Sequence, residues 1–465
     1  MPCDMYEKLR AYAQSGVYPF HMPGHKRQGG GSLLPYEIDL TEIEGFDNLH
    51  HPEGCIRDIE KKAEKLFGAK RAYLLVNGAT GGILAAVRAM TKPGDTVILA
   101  RNCHRAVYNA AELCALNAVY IYPERLQNYP SIYGSITDGQ VDAALQAHPD
   151  AKLVVLTSPT YEGVGSDLAL IAESCYRHGA KLLVDEAHGA HLYFDKTTVT
   201  AMAAGADVSV VSLHKTLPSL TQTALLLTNN EALTGELQAN LAVFETSSPS
   251  YVLMASIEQC LHAIETEQDL MSAYLKRLEL FYERTKNLAH LHMLYHQLPD
   301  NVYDYDRGKL VILTAGTSLN GHALAEVLRE QFKLETEMSA ADYVIAMTSV
   351  CDTDKGFDRL ADALTAIDRG LTAAAKNDSF TEIKPEKAYR SCDCFRYAAA
   401  ETPLQACAGK VSHEDVFAYP PGIPLIVKGE IISADMLGEI KRLEKCGVQI
   451  MSSRGTYPQG LIAAD

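Results

Sequence analysis

KLLVDEAHGAH at 181–191, followed by DVSVVSLHKTLPS at 207–219, decides how this chain folds. KLLVD is strand length, apolar through its middle, and ends on a carboxylate. DVSVVS has the same build and runs directly into Leu213-His214-Lys215. A carboxylate ending a buried strand is costly unless it is paired. A lysine just past a buried strand is equally out of place, because lysines normally sit on solvated faces. Working outward, four more runs share the pattern: AYLLV at 72–76, TVILA at 96–100, AVYIY at 118–122 and KLVVLT at 152–157. Stretches with helical patterning, such as LALIAESCYRHG at 168–179, lie between most of them. Strand and helix in alternation predict an α/β fold with a mainly parallel central sheet and helices on both faces.

The 465 residues are 47% hydrophobic and 22% charged, so a large core is available. That length predicts about two to four domains. Composition and patterning divide the chain into an arm at 1–45, a large domain at 46–300, a small α/β domain at 301–375 and a carboxy-terminal domain at 385–465. The polar stretch AAAKNDSFTEIKPEKAY at 373–389 reads as the last linker. A net charge of −16 argues against nucleic acid as a partner. Eleven cysteines without a CxxC pair suit a reducing cytoplasm rather than a disulfide framework. The start, MPCDMYEKLRAYAQ, lacks the basic-then-apolar pattern of a signal peptide. No apolar run approaches the roughly 20 residues that span a bilayer, so no membrane association is expected.

In open α/β sheets, ligands bind beyond the carboxyl ends of the strands. Four polar clusters fall there and are expected to converge on one cleft: Asn77-Gly78-Ala79-Thr80, Thr160-Tyr161, Asp185-Glu186-Ala187-His188 and Ser212-Leu213-His214-Lys215. The turn from Gly78 to Gly82 precedes the helix-like ILAAVRAM, so free N–H groups at a helix start could hold a phosphate. Alone this signal is weak, since many strand–helix turns are glycine-rich. Asp185 alone reads more readily as a helix N-cap, and Lys215 alone as a surface lysine. Together they form a set. A partly desolvated lysine loses basicity and becomes a nucleophile toward carbonyls. An aspartate can keep a pyridine nitrogen protonated, and a helix start can bind the phosphate. That set matches how proteins hold pyridoxal 5′-phosphate.

The sequence also resembles the bacterial ornithine/lysine/arginine decarboxylases over nearly its whole length, in the short form without an amino-terminal receiver-like domain. The resemblance rests on FHMPGHK (20–26), IDLTEIEGFDNLHHPEG (38–54), VNGATGGI (76–83), RNCHRAV (101–107), SPTYEGV (158–164), LVDEAHGAH (183–191), SLHKTLPSLTQ (212–222), TSSPSYVLMAS (246–256) and YPPGIPLIVKGEII (419–432). It implies the aspartate-aminotransferase-like fold of pyridoxal-phosphate enzymes, with a small α/β domain and a carboxy-terminal decarboxylase domain. It implies that Lys215 bonds the cofactor aldehyde, Asp185 faces the ring nitrogen, and His104 stacks on the ring. His188 would lie near the phenolic oxygen and the substrate. Gly78, Ala79 and Thr80, with Ser212 and His214, would hold the phosphate, and Thr160 and Tyr161 would line the cleft. SSPSY at 247–251 would approach the site across a homodimer interface. Family members often carry two hydroxyl residues where this chain has Ala79-Thr80, which removes one hydroxyl from the phosphate cup. The implied reaction is loss of CO₂ from lysine, arginine or ornithine, giving cadaverine, agmatine or putrescine.

Other residues carry blander readings. His21 and His25 have an i, i+4 spacing, but Pro23 and Gly24 between them argue against a helix and a metal pair. Cys392 and Cys394 read as free thiols and His191 as structural, so no metal site is expected. Two competing functions remain. The aspartate–lysine set also serves aminotransferases and aldolases of this superfold. An aminotransferase would need a late arginine for the substrate carboxylate; no convincing one stands in the sequence, with Arg390 and Arg396 the residues left open for that role. A non-catalytic regulatory homologue is the other alternative.

Overall fold

The computed structural model describes residues 16–20, 47–267, 269–374, 383–419, 422–445 and 447–464. His21 and His25 lie outside the described residues. The centre is a seven-stranded sheet of β1 (Arg71–Leu75), β2 (Thr96–Ala100), β3 (Asn117–Ile121), β4 (Leu153–Thr157), β5 (Lys181–Asp185), β6 (Val208–Ser212) and β7 (Ala224–Thr228). Its spatial order is β1-β7-β6-β5-β4-β2-β3. Pairing from β6 through β5, β4 and β2 to β3 is parallel, whereas β7 runs antiparallel to both β6 and β1. Apart from the edge strand β3, which is half-buried over Asn117–Tyr120, the strands are buried, which is why they are near-continuous Val, Leu and Ile runs. The α/β class with a mainly parallel sheet is therefore correct. The seventh strand, ALLLT, is an addition to the six runs that the sequence displays.

Helices α1 (Cys55–Phe67), α2 (Gly78–Met90), α3 (Arg105–Leu113) and α4 (Leu168–His178) pack on this sheet. In α1, Ile59, Ala63 and Phe67 recur at helical spacing and are buried against the core. Its start is held by the Asp47 carboxylate, which accepts from the amides of Glu53, Gly54, Ile56 and Arg57. Three helices, α5 (Thr234–Phe244), α6 (Tyr251–Thr266) and α7 (Leu270–Thr285), account for the long helical region.

A second sheet contains β8 (His292–Met293), β9 (Lys309–Leu313), β10 (Met338–Ser339) and β11 (Tyr343–Met347), in the order β8-β9-β11-β10. It draws on residues before 301, because His292 pairs with Leu313. Residues Tyr18–Phe20 add a parallel strand against Leu334–Thr336. Beyond 383, two three-stranded sheets and the helix Ala434–Lys445 enclose their own core of Leu404, Val416, Ile426, Ile432 and Leu461. This last unit is tied to the large sheet by a buried ion pair, Arg101–Glu430 at 3.2 Å, with side chains 6% and 1% exposed. Arg101 also donates to the carbonyls of Pro424 and Leu425. Glu430 accepts from the Val427 amide, so its role is to close the junction between units.

Candidate active site

The carboxyl ends of β1, β4, β5 and β6 deliver the four polar clusters to one edge of the sheet. β5 and β6 are parallel neighbours, with Val210 opposite Asp185. Asp185 therefore ends one strand beside the strand that leads to Lys215. Lys215 sits in a single helical turn, Leu213–Thr216, that follows β6 without a loop. The Leu213 amide bonds the Thr223 carbonyl and the Leu217 amide bonds the Leu213 carbonyl, which fixes that turn.

The Lys215 Nζ lies 2.9 Å from His188 Nε2. Burial lowers the Lys215 pKa below the ordinary amine value, while Asp185 and Glu337 pull the other way. Burial raises the pKa of Asp185, and the Lys215 charge opposes that rise. Asp185 is 3% exposed, and its Oδ1 accepts from the Ala187 amide at 3.0 Å. His188 is held well below the usual imidazole range by burial and by the fields of Lys215 and Lys309, so it is neutral. The Tyr161 ring meets the His188 ring edge-on at 4.8 Å, and the Tyr161 hydroxyl donates to Glu337 Oε1 at 2.6 Å. Thr160 instead closes its own turn, accepting from the Val164 amide.

His104 caps α3, with Nδ1 accepting from the Ala106 amide at 3.3 Å. Burial, then the fields of Lys215 and Arg105, lower its pKa to about 4. His214 donates from Nδ1 to the Thr223 carbonyl at 2.8 Å, because a carbonyl only accepts. In the neutral ring its Nε2 is then an acceptor. A phosphate contact through Nε2 needs a second proton, against a pKa that burial has lowered to about 4. A dianion at that place would supply the field to restore it.

At the end of β1 the chain turns into α2 through Gly78, whose φ of +69° is the left-handed region that glycine tolerates. The Gly78 amide bonds the Gln222 carbonyl at 2.9 Å. Ala79 and Thr80 open the helix, where amides have no intrahelical acceptor. The Thr80 side chain is exposed. Nearby, Glu245 accepts from the amides of Val76 and Asn77 at 2.9 and 3.0 Å.

These residues fit pyridoxal phosphate. Ser212 is 1% exposed, and its hydroxyl has no hydrogen-bond partner among the described residues. A buried hydroxyl left this way costs about 1–3 kcal/mol, which a phosphate oxygen would remove. Asp185 is a buried carboxylate that a protonated ring nitrogen would pair. Lys215 is an amine of depressed basicity, suited to bond an aldehyde.

The sequence missed three polar participants. Lys309, 1% exposed, places its Nζ 2.9 Å from His188 Nδ1. Glu337 acts on Lys215 through its charge and on Tyr161 by hydrogen bond. Glu245 closes the turn before α2. Only Lys309 had a visible signal, a charge opening the apolar run KLVIL. Of the blander readings, His191 binds Asp306 at 3.0 Å. Glu186, beside Asp185, holds the Ala201 amide and the hydroxyls of Ser209 and Tyr193. Arg390 and Arg396 both pair with Asp393. Among the described residues, no group of three or more His, Cys, Asp or Glu could hold a metal ion. No helix among them is long and apolar enough to cross a membrane.

Comparison with known proteins places the chain. Residues 3–335 match the profile of the Orn/Lys/Arg decarboxylase major domain, and residues 369–448 match that of the C-terminal domain. An arginine decarboxylase of Bacillus subtilis is 33% identical, over 96% of this chain and 94% of the relative. The constitutive lysine decarboxylase of Escherichia coli is 23% identical over 54% of this chain and 39% of its own length. The crystal structure of the Francisella novicida lysine decarboxylase LdcF superposes with a TM-score of 0.75 at 18% identity, covering 91% of this chain and 73% of that one. Alanine–glyoxylate aminotransferase from Nostoc gives a TM-score of 0.55 at 14% identity, over 72% of this chain and all of that one. The chain thus has the aspartate-aminotransferase-like fold, and it belongs to the Orn/Lys/Arg decarboxylase family of pyridoxal-phosphate-dependent amino-acid decarboxylases.

Proposed function

We propose that this protein removes the α-carboxylate of arginine, releasing CO₂ and agmatine, with pyridoxal phosphate joined to Lys215. The observation that carries this reading is the Lys215 amine at the end of β6, 2.9 Å from His188 and one strand over from buried Asp185. When bound, the cofactor supplies an electron sink for the pair released as the carboxylate leaves.

The chain's own residues do the rest. Lys215, whose basicity burial lowers, is the amine placed to bond the cofactor aldehyde. Asp185 holds a positive charge at the ring nitrogen. His104, neutral because its pKa is about 4, can lie over a cationic ring without repelling it. Ser212, His214 and the amides of Ala79 and Thr80, reached past Gly78, hold the phosphate. Neutral His188, close to Lys215, is placed to hold or pass the proton that replaces CO₂ at the α-carbon.

Arginine is favoured over lysine and ornithine because relatives named arginine decarboxylase match nearly the full chain, at 33% and 30% identity. Glu337, braced by the Tyr161 hydroxyl, is the carboxylate we assign to the substrate's distal cation. SSPSY at 247–251, exposed at Ser247 and Ser248, is assigned to a homodimer interface near the site. The test is a panel assay of purified protein with cofactor against arginine, lysine and ornithine, reading amine and CO₂ by mass. Agmatine as the main product is expected. A keto acid without CO₂ would point to an aminotransferase. No turnover, together with no visible band that borohydride abolishes, would point to a non-catalytic homologue.

A further inference from the structure

His188 is gripped from both sides. Its Nε2 faces Lys215 Nζ at 2.9 Å and its Nδ1 faces Lys309 Nζ at 2.9 Å. A neutral imidazole has one N–H and one lone pair. Two ammonium groups therefore cannot both donate to it. One lysine must accept from the ring, and only a neutral amine can do so.

The surroundings decide which lysine that is. Lys309 lies beside Asp306. Burial resists ionisation of Asp306, but the fields of His191 and Lys309 and the Gly308 amide outweigh it and lower its pKa. Lys215 faces Asp185, whose carboxylate burial disfavours, and Glu337, which already accepts from Tyr161. His104 and His214 add no negative charge. The Lys309 stem is held by packing on Gly163, where a Cβ would stand 2.8 Å from Lys309 Cγ.

We propose that Lys309 is a positioning residue: its ammonium donates to His188 Nδ1, fixes the proton on Nε2, and so keeps Lys215 as the free amine that accepts it. This rests on the assignment of Lys215 as the cofactor-bonding amine, but its test does not need turnover. In the cofactor-free full-length chain, competitive labelling with acetic anhydride across pH, read by mass at single lysines, gives each amine's midpoint. Exposed Lys355 serves as the internal standard. In the wild type, the Lys215 midpoint is expected below that of Lys309. In Lys309→Met the Lys215 midpoint is expected to rise by about one pH unit, a tenfold loss of free amine at neutral pH. Lys309→Arg, which keeps a charged donor to Nδ1, is expected to restore the low midpoint. Loss of packing alone would not move the Lys215 titration. An unchanged Lys215 midpoint in a folded Lys309→Met protein overturns the proposal. If that variant does not fold, the wild-type order decides, and a Lys309 midpoint below that of Lys215 overturns it. Failure of the arginine assay with these midpoints as expected would count against the reaction and not against this assignment.

Discussion

Glu245→Gln isolates the electrostatic cost built into the turn before α2. Glu245 is 7% exposed, and its Oε2 accepts from the Val76 and Asn77 amides at 2.9 and 3.0 Å. Its Oε1 has no partner among the described residues. Burial outweighs the two amides and pushes the carboxyl pKa from 4.5 up to about 7. Between those values the folded protein holds a proton that the unfolded chain has lost. The penalty for the charged form is therefore complete above about pH 7 and gone below pH 4.5. Glutamine keeps a carbonyl for both amides and never ionises. At about 1.36 kcal/mol per pKa unit, the variant should gain about 3 kcal/mol at pH 8 and almost nothing near pH 4.5. At roughly 2 °C per kcal/mol for a large domain, Tm should rise by about 6 °C at pH 8. Scanning calorimetry of the cofactor-free chain at several pH values, at one scan rate, reads this directly. A loss of stability at pH 8, or a gain independent of pH, would refute the reasoning and show that the charge itself anchors the turn.

Other perturbations probe other links. Asp185→Asn should leave the fold intact but slow single-turnover CO₂ release by several orders of magnitude, because the amide cannot hold a positive charge at the ring nitrogen. Arg101→Ala leaves Glu430 buried and unpaired, which should cost about 3–5 kcal/mol. Hydrogen exchange should speed up first in Val416–Tyr419 and Ile423–Ile426, the strands beside that ion pair. Glu337→Gln should raise KM for arginine about tenfold or more, as expected for a hydrogen bond to a charged group worth about 1.5–3 kcal/mol. Its kcat should change far less.

The sheet was legible because all its strands but the half-buried edge strand β3 are buried, and their Val and Leu runs leave a plain trace. β7 was harder. A run such as ALLLT carries no direction, and its antiparallel place follows from its neighbours. The convergence of Asp185, His188, Ser212 and Lys215 was readable because each ends or follows an apolar run, and strand ends share an edge. Their partners were not readable. Lys309 reaches His188 across 121 positions, and Glu245 reaches Val76 across 169. Nothing local marks either contact. The state of His214 was also hidden, since it depends on the Thr223 carbonyl taking Nδ1.

The central claim is that one amine, on Lys215, bonds the cofactor. Borohydride reduction of the loaded protein followed by peptide mass mapping tests it most directly. The expected result is a single pyridoxyl adduct on the peptide containing Lys215, absent from Lys215→Ala. An adduct on another lysine, or a fully active Lys215→Ala enzyme, would contradict it.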